Sequence, residues 1–108
     1  MSINVKNNNG VEVIHLALEI DLDTSPSIRE QIKKSLDSSK TVHVDLAKVG
    51  YIDSSGIATL IEGMQIAKKS EKEFALINVS NEVMKVIKLA HLDKIFKILS
   101  QSNQSASA

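Results

Sequence analysis

Cysteine and tryptophan are absent from this 108-residue chain, and proline occurs once. Without thiols there is no disulfide framework, no thiolate nucleophile and no zinc–sulfur centre, and nothing argues for an oxidising compartment. Aromatic residues amount to only 3%, so a core has to be assembled from Ile, Val and Leu. Charge of one sign is missing too: 13 basic residues cancel 13 acidic ones. A neutral chain lacks the basic footprint that nucleic-acid binding needs, and it has no polybasic block to hold it on anionic lipid. No apolar run approaches the ~20 residues that span a bilayer, and no signal-peptide profile opens the chain. With 43% hydrophobic and 24% charged residues, the composition is that of a globular domain. A cytoplasmic, single-domain protein is expected.

Apolar periodicity sets out the elements. Asn7-Asn8-Asn9-Gly10 is a turn signal, because Asn and Gly tolerate positive φ; the flanking residues 3–5 and 11–20 then pair as a hairpin. Val13 and Ile14 interrupt the alternation, which calls for a bulge or burial of both strand faces. Thr24-Ser25-Pro26 opens a helix: a hydroxyl caps the free amides, and proline sits where no amide donor is needed. Ile28, Ile32 and Leu36 give that helix an apolar stripe, and Glu30 and Lys34 are spaced to pair across one turn. Residues 42–46 alternate as a strand. Helical spacing resumes at Ser54 and runs to about Lys69 through Ile57, Leu60, Ile61, Met64 and Ala67. Residues 74–77 suit a buried strand. Ser80 caps a third helix with Val83, Val86, Ile87 and Ala90 inside, and Val79 is placed to staple against Met84. A short apolar segment, 95–99, closes the domain.

The order β-β-α-β-α-β-α predicts an α/β domain, with a mixed, largely parallel β-sheet packed by helices and an N-terminal β-hairpin. Its expected core holds Val42, Val44, Leu46, Leu60, Ile61, Leu76, Ile77 and Val86. The domain covers residues 1–99. Residues 100–108, SQSNQSASA, carry no large apolar side chain to offset their ordering entropy, and a disordered polar tail is expected there.

Catalytic motifs are missing. The four glycines form neither a Walker A nor a G-x-G-x-x-G loop, so no nucleotide cofactor is implied. The nucleophile elbow G-x-S-x-G is absent. His15, His43 and His91 are scattered without a metal-ligand spacing, which makes them structural residues. The informative stretch is Val49-Gly50-Tyr51-Ile52-Asp53-Ser54-Ser55-Gly56-Ile57, which leads into the second helix. Asp53, Ser54 and Ser55 are all good capping types, yet one cap needs only one of them. On spacing alone, plain capping and a serine displayed for modification both stand. A phosphate at a helix start is compatible with the fold, since free amides and the dipole favour anions there. It also adds ~1.5–2 negative charges beside Asp53 and changes any surface docked on the site.

Ile52-Asp53-Ser54-Ser55-Gly56-Ile57 resembles the D-S-S-G-L signature of the STAS domain, the fold of bacterial anti-sigma factor antagonists. Glu19-Ile20-Asp21-Leu22-Asp23-Thr24 resembles that family's G-E-L-D-x-x-T element. Leu76-Ile77-Asn78-Val79-Ser80-Asn81-Glu82-Val83, followed by Ala90-His91-Leu92-Asp93-Lys94-Ile95-Phe96, resembles its closing strand, helix and terminal segment. These ordered matches cover residues 5–99. Two positions depart from the pattern: the family glycine before E-L-D is Leu18, and the usual second glycine after the motif is Ala58.

The resemblance implies a binding protein and not an enzyme, with no cofactor and no metal. In the family, the serine directly after the motif aspartate is phosphorylated by a partner kinase that is also the anti-sigma factor. Ser54 is the matching residue, and Asp21, Asp53, Thr24, Ser55 and Gly56 shape the site and its partner surface. The implied cycle is a switch. The unphosphorylated form captures the anti-sigma factor and frees a sigma factor; phosphorylation at Ser54 ends the complex, and a serine phosphatase restores it. Direct nucleic-acid contact and membrane insertion are not expected, and a weak homodimer is compatible with the pattern. The same family also supplies small subunits of lipid-transport ABC complexes and scaffolds of stress-sensing assemblies, in which the serine need not be modified. A real serine at position 54 favours the switch.

Overall fold

A computed structural model describes residues 2–99 of the chain. Strands β1 (Ser2–Asn8) and β2 (Val11–Ala17) form an antiparallel hairpin. Its loop residues, Asn9 and Gly10, have φ of 55° and 86°. Positive φ at both positions gives the turn a twist that matches the strands, and Asn-Gly accepts it at least cost. Strands β3 (Thr41–Asp45), β4 (Glu73–Ile77) and β5 (Ile98–Leu99) then add in parallel, giving the order β1-β2-β3-β4-β5. Helices α1 (Ser25–Ser38), α2 (Ser54–Lys69) and α3 (Asn81–Leu89) are the crossovers.

Every crossover moves one strand in the same direction, so right-handed connections place all the helices on one face of the sheet. On that face Ile14, Val44 and Leu76 are lateral neighbours. They share one core with Ile28, Ile32 and Leu36 of α1, Leu60 of α2, and Val83 and Ile87 of α3. The opposite face carries Val13, His43 and Ala75 in one row and His15, Asp45 and Ile77 in the next. Val13 and Ile14 keep unbroken register with Lys6 and Val5. Both are buried, so burial of both faces, and not a bulge, explains the broken alternation.

Several expectations need correction. Ile61 and Val86 are only half-buried, at the rim of the core, while Thr59 and Gly63 lie on the inner side of α2. A Cβ on Gly63 would stand 2.9 Å from Ile32 Cγ2 and 3.0 Å from Phe74 Cε1; the bare glycine lets α2 approach α1 and β4. Glu30 and Lys34 are exposed and form no ion pair among the described residues. Instead Arg29 Nε and Lys33 Nζ converge on Glu62 of α2, at 2.8 and 3.5 Å. The strand expected over residues 11–20 ends at Ala17, and Ile20 makes a separate parallel bridge to Ile52. Ser80 does cap α3, accepting from the Val83 amide at 3.3 Å. The tail proposed for 100–108 lies outside the described residues. Among those described, no helix is long and apolar enough to cross a membrane.

Candidate partner-docking and modification site

The start of α2 is held by one carboxylate. Asp53 is its N-cap, with extended backbone, and its Oδ1 accepts from the Ser55 amide at 2.9 Å and the Gly56 amide at 3.1 Å. The Ser55 hydroxyl donates to the same oxygen at 2.6 Å. That hydroxyl bond, opposed by some burial and helped by the two amides, keeps the Asp53 carboxyl below the usual carboxylate range. Ser55 Oγ also lies 3.2 Å from Ser25 Oγ at the start of α1. The Ser55 proton is committed to Asp53, so the buried Ser25 hydroxyl is the donor of this second bond. Ser54 stands apart. It is exposed, at the first residue of α2, and its hydroxyl has no protein partner among the described residues.

A second segment is clasped against this motif. Ile20 donates its amide to the Tyr51 carbonyl at 2.9 Å, and Asp53 donates its amide to the Ile20 carbonyl at 3.0 Å. The Ile20 and Ile52 side chains are buried beneath Gly56. A Cβ there would come within 2.4 Å of Ile20 Cγ2 and 2.7 Å of Ile52 Cγ1. Only glycine leaves space for the bridge. Beyond Ile20 the chain turns sharply. Asp21 Oδ1 accepts from the Asp23 and Thr24 amides at 3.0 and 3.1 Å, and Thr24 Oγ1 accepts from the Asp21 amide at 3.0 Å while donating to the Glu19 carbonyl at 2.7 Å.

The clasp therefore brings Asp21 beside Asp53 through the backbone bridge, while Thr24 shapes the loop from behind. This corrects the expected capping of α1: Thr24 is at the N-cap position but makes no capping bond with its side chain, because its hydroxyl is spent on Asp21 and Glu19. The family departures are absorbed outside the motif. Leu18 is buried in the core, and Ala58 is exposed on α2. Sequence reasoning missed Ser25 and the Ile20–Ile52 bridge. An isolated apolar residue between Glu19 and Asp21 is the one signal that pointed to the bridge.

The family model of the STAS domain matches residues 2–106. The chain belongs to the STAS domain family. It is 24% identical over 102 residues to the anti-sigma-B factor antagonist of Bacillus subtilis, covering 94% of each chain. Among solved structures, a putative anti-sigma factor antagonist from Thermotoga maritima superimposes with a TM-score of 0.86 at 19% identity, over 97% of this chain and 92% of that one. SpoIIAA, described as a Bacillus cell fate determinant and solved in its phosphorylated form, gives a TM-score of 0.72 at 18% identity, over 98% of both chains. At these identities the solved structures establish the STAS fold.

Proposed function

We propose that this STAS domain is an anti-sigma factor antagonist, a partner-binding protein switched by phosphorylation of Ser54. One observation carries the choice of residue: of the two motif serines, only Ser54 is solvent-exposed with a hydroxyl that has no protein partner among the described residues. The unphosphorylated form captures an anti-sigma factor that is also a serine kinase, and the sigma factor is freed.

In the transfer step Ser54 Oγ attacks the γ-phosphorus of ATP held by the kinase. The bond from that phosphorus to the bridging oxygen breaks, ADP leaves, and the hydroxyl proton passes to a base on the kinase. The product dianion then lies between Asp53 and the phosphates of the nucleotide. Like charges at such distances oppose docking. A tenfold loss of affinity needs only ~1.4 kcal/mol. A serine phosphatase would return the chain to its binding form. The phosphoryl donor and the base belong to the partner, so the chain is a substrate of the transfer.

The test is to incubate the purified chain with ATP and each anti-sigma factor kinase of its own cell, then locate the phosphate by mass spectrometry and measure binding before and after. Phosphate on Ser54 with loss of binding is the expected result. Unchanged binding by the phosphorylated chain would remove the switch.

A further inference from the structure

Two large apolar side chains stand in solvent on the segments that lead into and away from the Ile20–Ile52 bridge. Leu22 is 75% exposed and Tyr51 is 49% exposed. A solitary exposed apolar residue needs no explanation. These two lie on neighbouring segments locked together by the Ile20–Ile52 bridge. Extended chain alternates its side chains, so with Ile20 and Ile52 facing the core, Glu19, Asp21, Tyr51 and Asp53 face outward. Leu22 lies two residues beyond Ile20, in the turn by which the chain leaves the bridge. The hydrogen-bonded turn of Asp21 and Thr24 fixes the backbone that carries it. The same two segments carry Glu19, Asp21, Asp23 and Asp53, and neither segment 18–24 nor segment 49–57 contains a basic residue.

We propose that Leu22 and Tyr51 are the apolar anchors of partner docking, and that the matching surface of the anti-sigma factor is an apolar depression with a basic rim. This rests on the antagonist reading above. A rigid, amphipathic tyrosine loses little entropy on docking and commonly dominates an interface. Basic groups on the partner's rim would meet Glu19, Asp21 and Asp23. Over Ser54 itself the partner instead presents nucleotide phosphates. Attraction along the loop and repulsion at the serine therefore act at different points, and phosphorylation strengthens only the second. Docking and release are spatially separated in one small surface.

The experiment is calorimetric titration of the full chain with the purified anti-sigma factors of its own cell, for wild type, Leu22→Ser, Tyr51→Ser and the double variant. Leu89→Ser is the control, because Leu89 is 81% exposed at the end of α3 and outside both segments. Each single change is expected to weaken binding about tenfold and the double change about a hundredfold or more. Leu22→Met and Tyr51→Phe should retain most of the affinity, and Leu89→Ser should bind like wild type. Wild-type affinity should fall as salt is raised, as a basic rim requires. Undiminished binding by the double variant, or affinity indifferent to salt, overturns the proposal while leaving the antagonist reading intact. If wild type binds none of these anti-sigma factors, the antagonist reading itself fails and takes the anchors with it.

Discussion

The Ser55 hydroxyl is bound to the Asp53 carboxylate at 2.6 Å and receives a further bond from Ser25, at 3.2 Å. One serine of the motif thus ties the starts of α1 and α2 together, and its neighbour is left to solvent. Replacing them should separate the roles. Ser55→Ala removes a charge-assisted bond and is expected to cost about 1 kcal/mol of stability, visible as a lower urea midpoint. Ser54→Ala should melt like wild type and take up no phosphate from the kinase. Full phosphorylation of Ser54→Ala would transfer the acceptor role elsewhere.

Gly56 has a different duty. Its Cα packs on Ile20 and Ile52, where an added methyl would overlap both side chains. Gly56→Ala should cost about 1–3 kcal/mol through overpacking, and it should loosen the bridge that holds Asp21 beside the motif. Gly50, six residues earlier, has nothing within 4 Å of an added Cβ, so Gly50→Ala should be close to neutral. Hydrogen exchange at the Ile20 and Asp53 amides checks the mechanism: both should exchange faster in Gly56→Ala alone.

Much of this architecture is legible in the sequence because single residues with strong local physics mark it. Asn9-Gly10 dictates the hairpin, Ser80 the start of α3, and the spacing of Ile28, Ile32 and Leu36 the buried stripe of α1. Contacts between distant segments are less legible. Glu30 and Lys34 have ideal helical spacing, yet Glu62 on the neighbouring helix draws Arg29 and Lys33 instead. Ile61 fits the period of α2 as well as Leu60 does, but the buried side of the helix runs through Gly56, Thr59, Leu60, Gly63 and Ala67, where Gly63 admits Ile32 and Phe74. At the site, Asp53, Ser54 and Ser55 are equivalent as capping types. Only the fold allots cap, tie and free hydroxyl among them.

Leu60 is fully buried in the shared core of sheet and helices. Leu60→Ala should therefore destabilise the domain by roughly 2–5 kcal/mol, the range for a cavity that relaxes only in part. A denaturant midpoint equal to that of wild type would mean that this side of α2 does not face the core.

The face of the sheet opposite the helices supplies a pH-dependent term. Burial, with help from the Lys97 ammonium, holds the His43 imidazole below its ordinary range. The folded state therefore favours the neutral ring, whereas the unfolded chain takes up a proton near pH 6.5. The stability involved is complete above about pH 6.5 and is lost as the pH falls through the interval down to the folded value. His43→Gln should flatten that acid-side decline in denaturant titrations. Lys97 is paired with Glu73, so Glu73→Gln should push the His43 titration lower, and Lys97→Met should raise it part of the way back. Nuclear magnetic resonance of the imidazole proton reads all of these shifts.

Phosphorylation of Ser54 should act on the partner surface and spare the fold. The sequence suggests free amides at the start of α2 ready for an anion, but Asp53 already holds those of Ser55 and Gly56. A phosphate on Ser54 thus gains the helix dipole, worth about 0.3–1 kcal/mol at an exposed end, and meets the repulsion of the Asp53 carboxylate. These contributions oppose each other at similar size, so circular dichroism melts of the phosphorylated chain should nearly overlay those of wild type. Binding should behave differently. Ser54→Asp carries about one charge in place of nearly two and lacks the third oxygen, so it should weaken docking only in part. Ser54→Ala should dock normally and never be released by kinase and ATP. If the phosphorylated chain instead melts far below wild type, release comes from unfolding α2 and not from charge at the interface.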